Sequence, residues 1–255
     1  MLRTENLTLA AGDRTLCREL DLALAPGETW AVLGCNGSGK TTLLHALAGL
    51  APAAAGRVEL AGRPLAGYAR RELGRTLGIL LQREEGEFWG TLADYVLLGR
   101  YPHARAWFGR DADDEAAAAQ AIAAFDLEAL AAQSYATLSG GERQRARLAQ
   151  LWAQDPRLLL LDEPLQHLDL RHQLQALERV CAAVRDAGKT AVLVLHDLTF
   201  AARCDRVLML YGDGRHAAGS ASELLQPARL EELYGCRVRA FGSGSDAHLI
   251  TVTDN

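Results

Sequence analysis

The 255-residue sequence contains no apolar run that approaches the ~20 residues a membrane-spanning helix needs. We therefore expect that the chain does not cross a bilayer by itself. The first residues include Glu5, Asn6 and Asp13 and no apolar stretch of signal-peptide length, so export through a cleaved leader is not expected. The five cysteines are scattered and form no C-x-x-C pair, which predicts a reducing compartment and no structural metal site.

An excess of basic charge is also missing. The chain has 27 Lys and Arg residues against 32 Asp and Glu residues, a formal net charge of -5. Without a basic stripe to neutralise phosphates, a nucleic-acid partner is not favoured. Apolar residues make up 49% of the chain, which is enough for one substantial core with a smaller subdomain attached.

Residues 34–41 form the pattern G-x-x-x-x-G-K-T. An apolar run typical of a buried strand precedes it, and a helical pattern with Leu43, Leu44 and Leu47 on one side follows it. The glycines allow backbone N–H groups to point at phosphate oxygens, Lys40 supplies charge for the outer phosphates, and the Thr41 hydroxyl is a Mg2+ ligand. The segment therefore predicts binding of a nucleotide with Mg2+. The candidate binding residues are Gly34, Asn36, Gly37, Ser38, Gly39, Lys40, Thr41 and Thr42.

A second candidate element is the run of four leucines that ends in Asp162 and Glu163. A strand without polar interruption is typical of the centre of a parallel sheet. Asp162 is then expected to hold Mg2+ through water, and Glu163 to act as general base on the attacking water. The alternative is a buried strand that ends in an ordinary acidic surface pair, and the phosphate loop favours the catalytic interpretation.

Residues 138–142, Leu-Ser-Gly-Gly-Glu, form a third element. Ser139 and Glu142 have the spacing of a helix capping box. A cap does not need Gly140 and Gly141, which lower helix propensity, but bare backbone lets another molecule approach the positive helix end.

This segment, followed by Arg-Gln-Arg, resembles the signature motif of the ATP-binding cassette (ABC) ATPases, and it lies between the other two elements as it does in that family. The resemblance covers the chain from residue 1 to about residue 227. It implies that Gln82 is the lid glutamine that reaches Mg2+ and the attacking water, that Asp169 lies in the loop crossing to a partner subunit, and that His196 contacts the γ-phosphate. It also implies a head-to-tail dimer with a second copy of the chain, in which ATP lies between the phosphate loop of one copy and residues 139–142 of the other.

The predicted fold class is α/β: a P-loop NTPase with a RecA-like core of the ABC ATPase type, an N-terminal antiparallel β part and an inserted α-helical subdomain. We assign the ATP-binding core to residues 1–83 and 156–227, the helical subdomain to 84–155 and a short extension to 228–255. Within these parts, we expect a hairpin that turns at Gly12 and Asp13, a helix over residues 115–130 and a helix that stops at Gly188.

Residues 96–103 and 230–236 resemble segments of importers for vitamin B12 (cobalamin), ferric siderophores and haem. The resemblance implies transmembrane permease subunits that contact residues 82–102, a substrate-binding protein as an indirect partner, and a peripheral location at the cytoplasmic face of the cell membrane. The alternatives are a soluble cassette ATPase of DNA repair or translation, which usually carries a coiled-coil insertion, zinc cysteines or two cassettes, and an exporter cassette.

Two positions depart from the family pattern. Ala10 and Ala11 stand where an aromatic residue usually stacks on adenine, which leaves Arg14 or Leu16 to cover the base and predicts weak discrimination between ATP and GTP. Gln166 stands where the family often has Ser, a difference in the loop that crosses to the partner subunit.

Overall fold

A computed structural model describes residues 1–82, 87–104, 111–241 and 248–252. The chain forms two compact units, one of Met1–Ala66 with Thr190–Asn255 and one of Gly67–Lys189. The predicted boundary between residues 83 and 84, and parts of the predicted extension at 242–247 and 253–255, lie outside the described residues.

The first unit begins with an antiparallel sheet. Its early elements are β1 (Leu2–Ala11), β2 (Arg14–Leu24), β3 (Thr29–Leu33), α1 (Lys40–Leu47), β4 (Ala55–Leu60) and β5 (Arg63–Pro64). The sheet has the order β2-β1-β4-β5, and the predicted hairpin turn at Gly12 and Asp13 joins β1 to β2. β3 is separate from this sheet, and all five of its residues are buried.

The second unit is mostly helical. Its elements are α2 (Arg70–Thr76), β6 (Leu77–Leu80), α3 (Leu92–Leu97), α4 (Ala112–Ala124), α5 (Gly140–Gln154), β7 (Leu158–Asp162) and α6 (Leu170–Ala187). Strands β6 and β7 pair in parallel, from Leu77 with Leu158 to Leu80 with Leu161. Because the carboxyl ends of parallel strands meet at one edge, the segments that follow β6 and β7 lie side by side.

The bounds predicted for a helix over residues 115–130 were wrong at both ends. Helix α4 begins earlier, because the Asp111 side chain accepts a hydrogen bond from the Asp113 N–H and caps it. It ends at Ala124, and the chain then turns through Asp126 in the left-handed region, with φ of 54°. This turn buries Leu127 completely, and the free energy gained by that burial is not contained in the helix propensity of the alanines.

The first unit is completed by residues 190–255, about the last quarter of the chain. These elements are β8 (Thr190–Val194), α7 (Leu198–Ala201), β9 (Arg206–Leu210), β10 (His216–Ser220), α8 (Ala221–Leu224), α9 (Pro227–Tyr234), β11 (Arg237–Phe241) and β12 (His248–Val252). β3 lies between β9 and β8 and is parallel to both, and β10 adds to β9 in the antiparallel sense. Gly188, with φ of 62°, ends α6 as predicted. The predicted α/β class is therefore confirmed.

Candidate active site

The phosphate loop connects β3 to α1 in a conformation that requires glycine at its start. A Cβ atom on Gly34 would lie 2.4 Å from the Leu210 carbonyl oxygen and 2.4 Å from Ser38 Oγ, closer than real contacts allow. Gly39, with φ of 105°, is the N-cap of α1. The Ser38 N–H donates to the Cys35 carbonyl and closes the loop at 3.1 Å. The backbone therefore has the compact shape of an anion cradle at a helix N-terminus.

Two buried polar groups of this loop fit a phosphate ligand. Lys40 is 6% exposed, and its Nζ donates to the carbonyl oxygens of Gly34 at 2.8 Å and Cys35 at 3.0 Å. The Ser38 hydroxyl is buried, and the described part of the chain offers its Oγ no hydrogen-bond partner. A buried polar atom of this kind favours a ligand that can bond to it. Asn36 and Gly37 are exposed at the loop tip, and Thr41 and Thr42 are half-buried in the first turn of α1.

The structure separates the two candidates for the base-binding position. Leu16 is buried beside Gly39, and its Cβ would lie 3.0 Å from a Cβ atom at that glycine. Arg14 is exposed, and its guanidinium donates to the Gly212 carbonyl from Nε at 3.0 Å and Nη2 at 2.7 Å. Gly212 in turn packs against Ser38, so Arg14 is held next to the phosphate loop. Leu16 packs against the same loop at Gly39.

His196 follows β8 and is exposed. Because β8 is parallel to β3, His196 and the phosphate loop emerge at the same edge of the sheet. The next residue, Asp197, caps α7 by accepting a hydrogen bond from the Thr199 N–H at 2.7 Å. This cap directs the chain away from the sheet immediately after His196.

In the second unit, Asp162 is the last residue of β7 and Glu163 follows it. Asp162 is 1% exposed, and Glu163 is half-buried in a left-handed backbone conformation with φ of 51°. A non-glycine residue in this region is strained, and such strain is concentrated at functional sites. Gln82 is exposed two residues after β6. Because Leu80 pairs with Leu161, Gln82 and Glu163 follow their strands at the same edge of the sheet.

The capping box at the start of α5 is present as predicted. Ser139 N–H donates to Glu142 Oε2 at 2.8 Å, and Glu142 N–H donates to Ser139 Oγ at 3.3 Å. The hydrogen bonds from Ser139 lower the pKa of the Glu142 carboxyl. Gly140 is exposed, and a Cβ atom on Gly141 would lie 3.0 Å from the His167 carbonyl oxygen, so a side chain at the second glycine would require the neighbouring loop to shift slightly.

Asp169 lies in the loop that touches these glycines. It caps α6 by accepting from the His172 N–H at 2.9 Å and from His172 Nδ1 at 2.8 Å. Those hydrogen bonds lower the pKa of the Asp169 carboxyl. The structure therefore brings residues 139–142 and the Asp169 loop together within the second unit. Gln166 is half-buried in the same loop.

The three residues predicted to bind Mg2+ all carry side-chain oxygen atoms. Asp162 presents a buried carboxylate, Thr41 a hydroxyl and Gln82 an amide oxygen, and Mg2+ prefers such hard oxygen ligands. The described residues contain no cluster of three or more His, Cys, Asp or Glu that could hold a metal. Each of these donors suits an ion that is held by a few side chains together with substrate phosphates.

Sequence reasoning missed two sets of contacts. The first is made by α9: Cys35 Sγ lies 3.4 Å from the Leu233 carbonyl oxygen, and burial raises the pKa of Tyr234 to about 12. The second is made by Gln144 and Arg147 on α5, which are buried although both are polar. No spacing in the sequence identifies either set, because each set includes main-chain partners that are distant along the chain.

A family model described as ABC transporter matches residues 17–166. The chain is 40% identical over 270 residues to the hemin import ATP-binding protein HmuV of Burkholderia thailandensis, with 99% of each chain covered. It is 38% identical over 237 residues to the ferric enterobactin transport ATP-binding protein FepC of Escherichia coli, with 92% of this chain and 88% of the relative covered.

A solved structure, described as an inward-facing ABC transporter of metal-chelate type, contains a chain that superposes with a TM-score of 0.84 at 27% identity, covering 99% of this chain and 97% of that one. Within the described residues, no helix is both long and apolar enough to cross a membrane.

Proposed function

The chain belongs to the ABC transporter family, and we propose that it is the ATP-hydrolysing subunit of an importer for a metal chelate: haem, a ferric siderophore or cobalamin. One observation carries this proposal. Relatives named for import of hemin and of ferric enterobactin are 40% and 38% identical to the chain over nearly its whole length.

Exposed apolar side chains after Gln82 support docking to a membrane partner. Trp89 is 85% exposed, Leu98 49% and Tyr101 66%. A group of large apolar residues left in water is typical of an interaction surface. We propose that residues 82–102 receive a cytoplasmic helix of the permease, and that this contact holds the protein at the cytoplasmic face of the membrane.

The chemistry proposed for the chain assigns one task to each site residue. Backbone N–H groups of the phosphate loop and Lys40 hold the phosphates of ATP, and Glu163 accepts the proton of the attacking water. His196 contacts the γ-phosphate and orients it. Thr41, Gln82 and Asp162 are the proposed oxygen donors for Mg2+, which neutralises phosphate charge when bound.

Completion of the site requires a second copy of the chain. We propose that Ser139, Gly140, Gly141 and Glu142 of one copy contact the nucleotide held by the other, with Asp169 at the same interface. The exposed N-terminus of α5 has the positive end of a helix dipole free for a phosphate. ATP binding then closes the dimer, hydrolysis opens it, and the permease responds to that change. A substrate-binding protein is the proposed external partner that delivers the chelate.

The test is reconstitution of the chain with a candidate permease in proteoliposomes. We expect the two to copurify, and we expect ATP hydrolysis in proteoliposomes to rise when a binding protein loaded with the correct chelate is added. Haem, ferric siderophore and cobalamin are compared in separate reactions. Failure to copurify, together with full ATPase activity of the isolated chain, would support a soluble cassette ATPase instead, and outward movement of substrate would support an exporter.

A further inference from the structure

Two polar side chains on α5 are buried inside the second unit. Gln144 is 4% exposed and Arg147 is 8% exposed. They are three residues apart, so they lie on the same face of the helix. Burial of a guanidinium costs free energy unless the group is hydrogen-bonded, so its hydrogen-bond partners indicate what the side chain holds in place.

These partners are the two strand ends of the candidate active site. Gln144 Nε2 donates to the Pro164 carbonyl oxygen at 2.9 Å, and Arg147 Nη1 donates to Gln144 Oε1 at 2.8 Å. Arg147 Nη2 donates to the Leu81 carbonyl oxygen. Leu81 immediately precedes Gln82, and Pro164 immediately follows Glu163. We name this continuous set of hydrogen bonds, from Leu81 through Arg147 and Gln144 to Pro164, the α5 bridge.

The α5 bridge connects the two chain segments beyond the last hydrogen-bonded pair of the strands. The last paired residues of the two strands are Leu80 and Leu161, so Leu81 and Pro164 lie beyond the β ladder. Proline has no N–H, so its carbonyl oxygen is the main-chain group through which another element can hold it. A planar guanidinium offers donors in a rigid arrangement, and its bonds are strong in a buried, low-dielectric environment.

We propose that Gln144 and Arg147 are positioning residues that keep Gln82 and Glu163 at a fixed separation. The lid glutamine and the general base then move as one unit with the helix that begins at Ser139. The inference rests on the proposed function for the roles of Gln82 and Glu163. Neither Gln144 nor Arg147 needs to touch the nucleotide, because each acts through the main chain next to a reacting group.

A double-mutant cycle tests this dependence. Arg147→Met removes the bridge, and Gln82→Ala removes the group through which Arg147 is inferred to act. In the permease complex, we expect Arg147→Met to lower kcat about tenfold, since a misplacement of about 1 Å can cost about 100-fold and we expect the displacement here to be smaller. We expect the KM for ATP to change less than about twofold, because phosphate binding is untouched. In the Gln82→Ala background, the same substitution should lower kcat by much less, because coupled residues are not additive.

Gln154→Leu is the matched control. Gln154 lies on the same helix, and its Nε2 donates to the carbonyl oxygens of Gly74 at 2.6 Å and Leu77 at 3.0 Å, at the amino end of β6. Its loss removes one bond to α2 and one to the first residue of β6, at the end of that strand opposite to Gln82. We expect a lower unfolding temperature and an unchanged kcat. If Arg147→Met behaved like this control, the α5 bridge would be purely structural.

Gln144→Glu addresses the case in which Arg147→Met does not fold. The variant keeps the shape and the acceptor for Arg147, but it replaces the donor to Pro164 with a carboxylate oxygen. We expect it to fold and to lower kcat, and Arg147→Lys, which keeps the charge but loses the planar fork, should be impaired less than Arg147→Met. A wild-type kcat in the Gln144→Glu variant would overturn the inference. So would an Arg147→Met substitution that lowers kcat by the same factor in the wild-type and the Gln82→Ala backgrounds.

Amide hydrogen exchange gives a readout that does not depend on activity. Loss of the bridge should speed exchange in the peptides around Leu81 and around Pro164 together, whereas Gln154→Leu should leave the Pro164 peptide unchanged. If the wild-type chain showed no ATP hydrolysis, the proposed function would fail. The exchange rates around Leu81 and Pro164 would still test whether the α5 bridge holds these segments. Unchanged exchange at both peptides in Arg147→Met would refute it.

Discussion

Replacement of Glu163 by glutamine is the sharpest perturbation of the proposed chemistry. The side chains have the same shape, and the left-handed backbone at this position, with φ of 51°, is unaffected by the exchange of an oxygen for an NH2 group. We therefore expect the free energy of unfolding to change by no more than about 0.5 kcal/mol. Loss of a general base lowers the rate by roughly 10²- to 10⁴-fold, which corresponds to about 3–5 kcal/mol of activation free energy.

ATP binding should survive in this variant, because the phosphate loop contributes the nucleotide contacts. The unhydrolysed nucleotide should then hold two copies together, and size-exclusion chromatography with light scattering in MgATP should show a dimer that persists. Phosphate release measures the rate. Glu223→Gln is the matched control, since Glu223 accepts a hydrogen bond from the Ser220 N–H at 2.9 Å in an exposed capping box far along the chain from the candidate site. A Glu163→Gln variant that hydrolyses ATP within threefold of the wild-type rate would refute the assignment of the base.

Three further predictions concern other contacts. Gly99→Ala would place a methyl group 2.1 Å from the Gln150 carbonyl oxygen, so we expect calorimetry to show a fall in unfolding temperature of about 5 °C or more. Gly62→Ala is the control, because Gly62 has a φ of 76° but open space around it, and we expect its unfolding temperature to fall by about 2–4 °C. Arg14→Ala should weaken ATP and GTP binding alike by about 1 kcal/mol in competition titrations, and a large ATP preference in the wild type would contradict this reasoning. A thiol reagent should modify the exposed Cys35 and block nucleotide binding, and labelling that ATP does not slow would count against a ligand at this loop.

Much of the site could be predicted because its residues follow one another along the chain. Glycines in the phosphate loop, Ser139 with Glu142, and Asp162 with Glu163 are each encoded within a few residues, where local backbone geometry decides the outcome. The hairpin turn at Gly12 and the end of α6 were predicted for the same reason. The end of α4 was not, because the burial of Leu127 depends on packing that its neighbours in sequence do not specify.

The sequence by itself determined the family, the α/β class and the order of the candidate site residues, since each depends on short patterns with a direct physical reason. Only the tertiary structure decided which distant groups meet: Arg14 with the Gly212 carbonyl, Cys35 with Leu233 of α9, and Arg147 with the end of β6. These contacts join residues far apart in the chain through backbone carbonyls. Every residue has a carbonyl group, so residue type cannot reveal which one a buried side chain will reach.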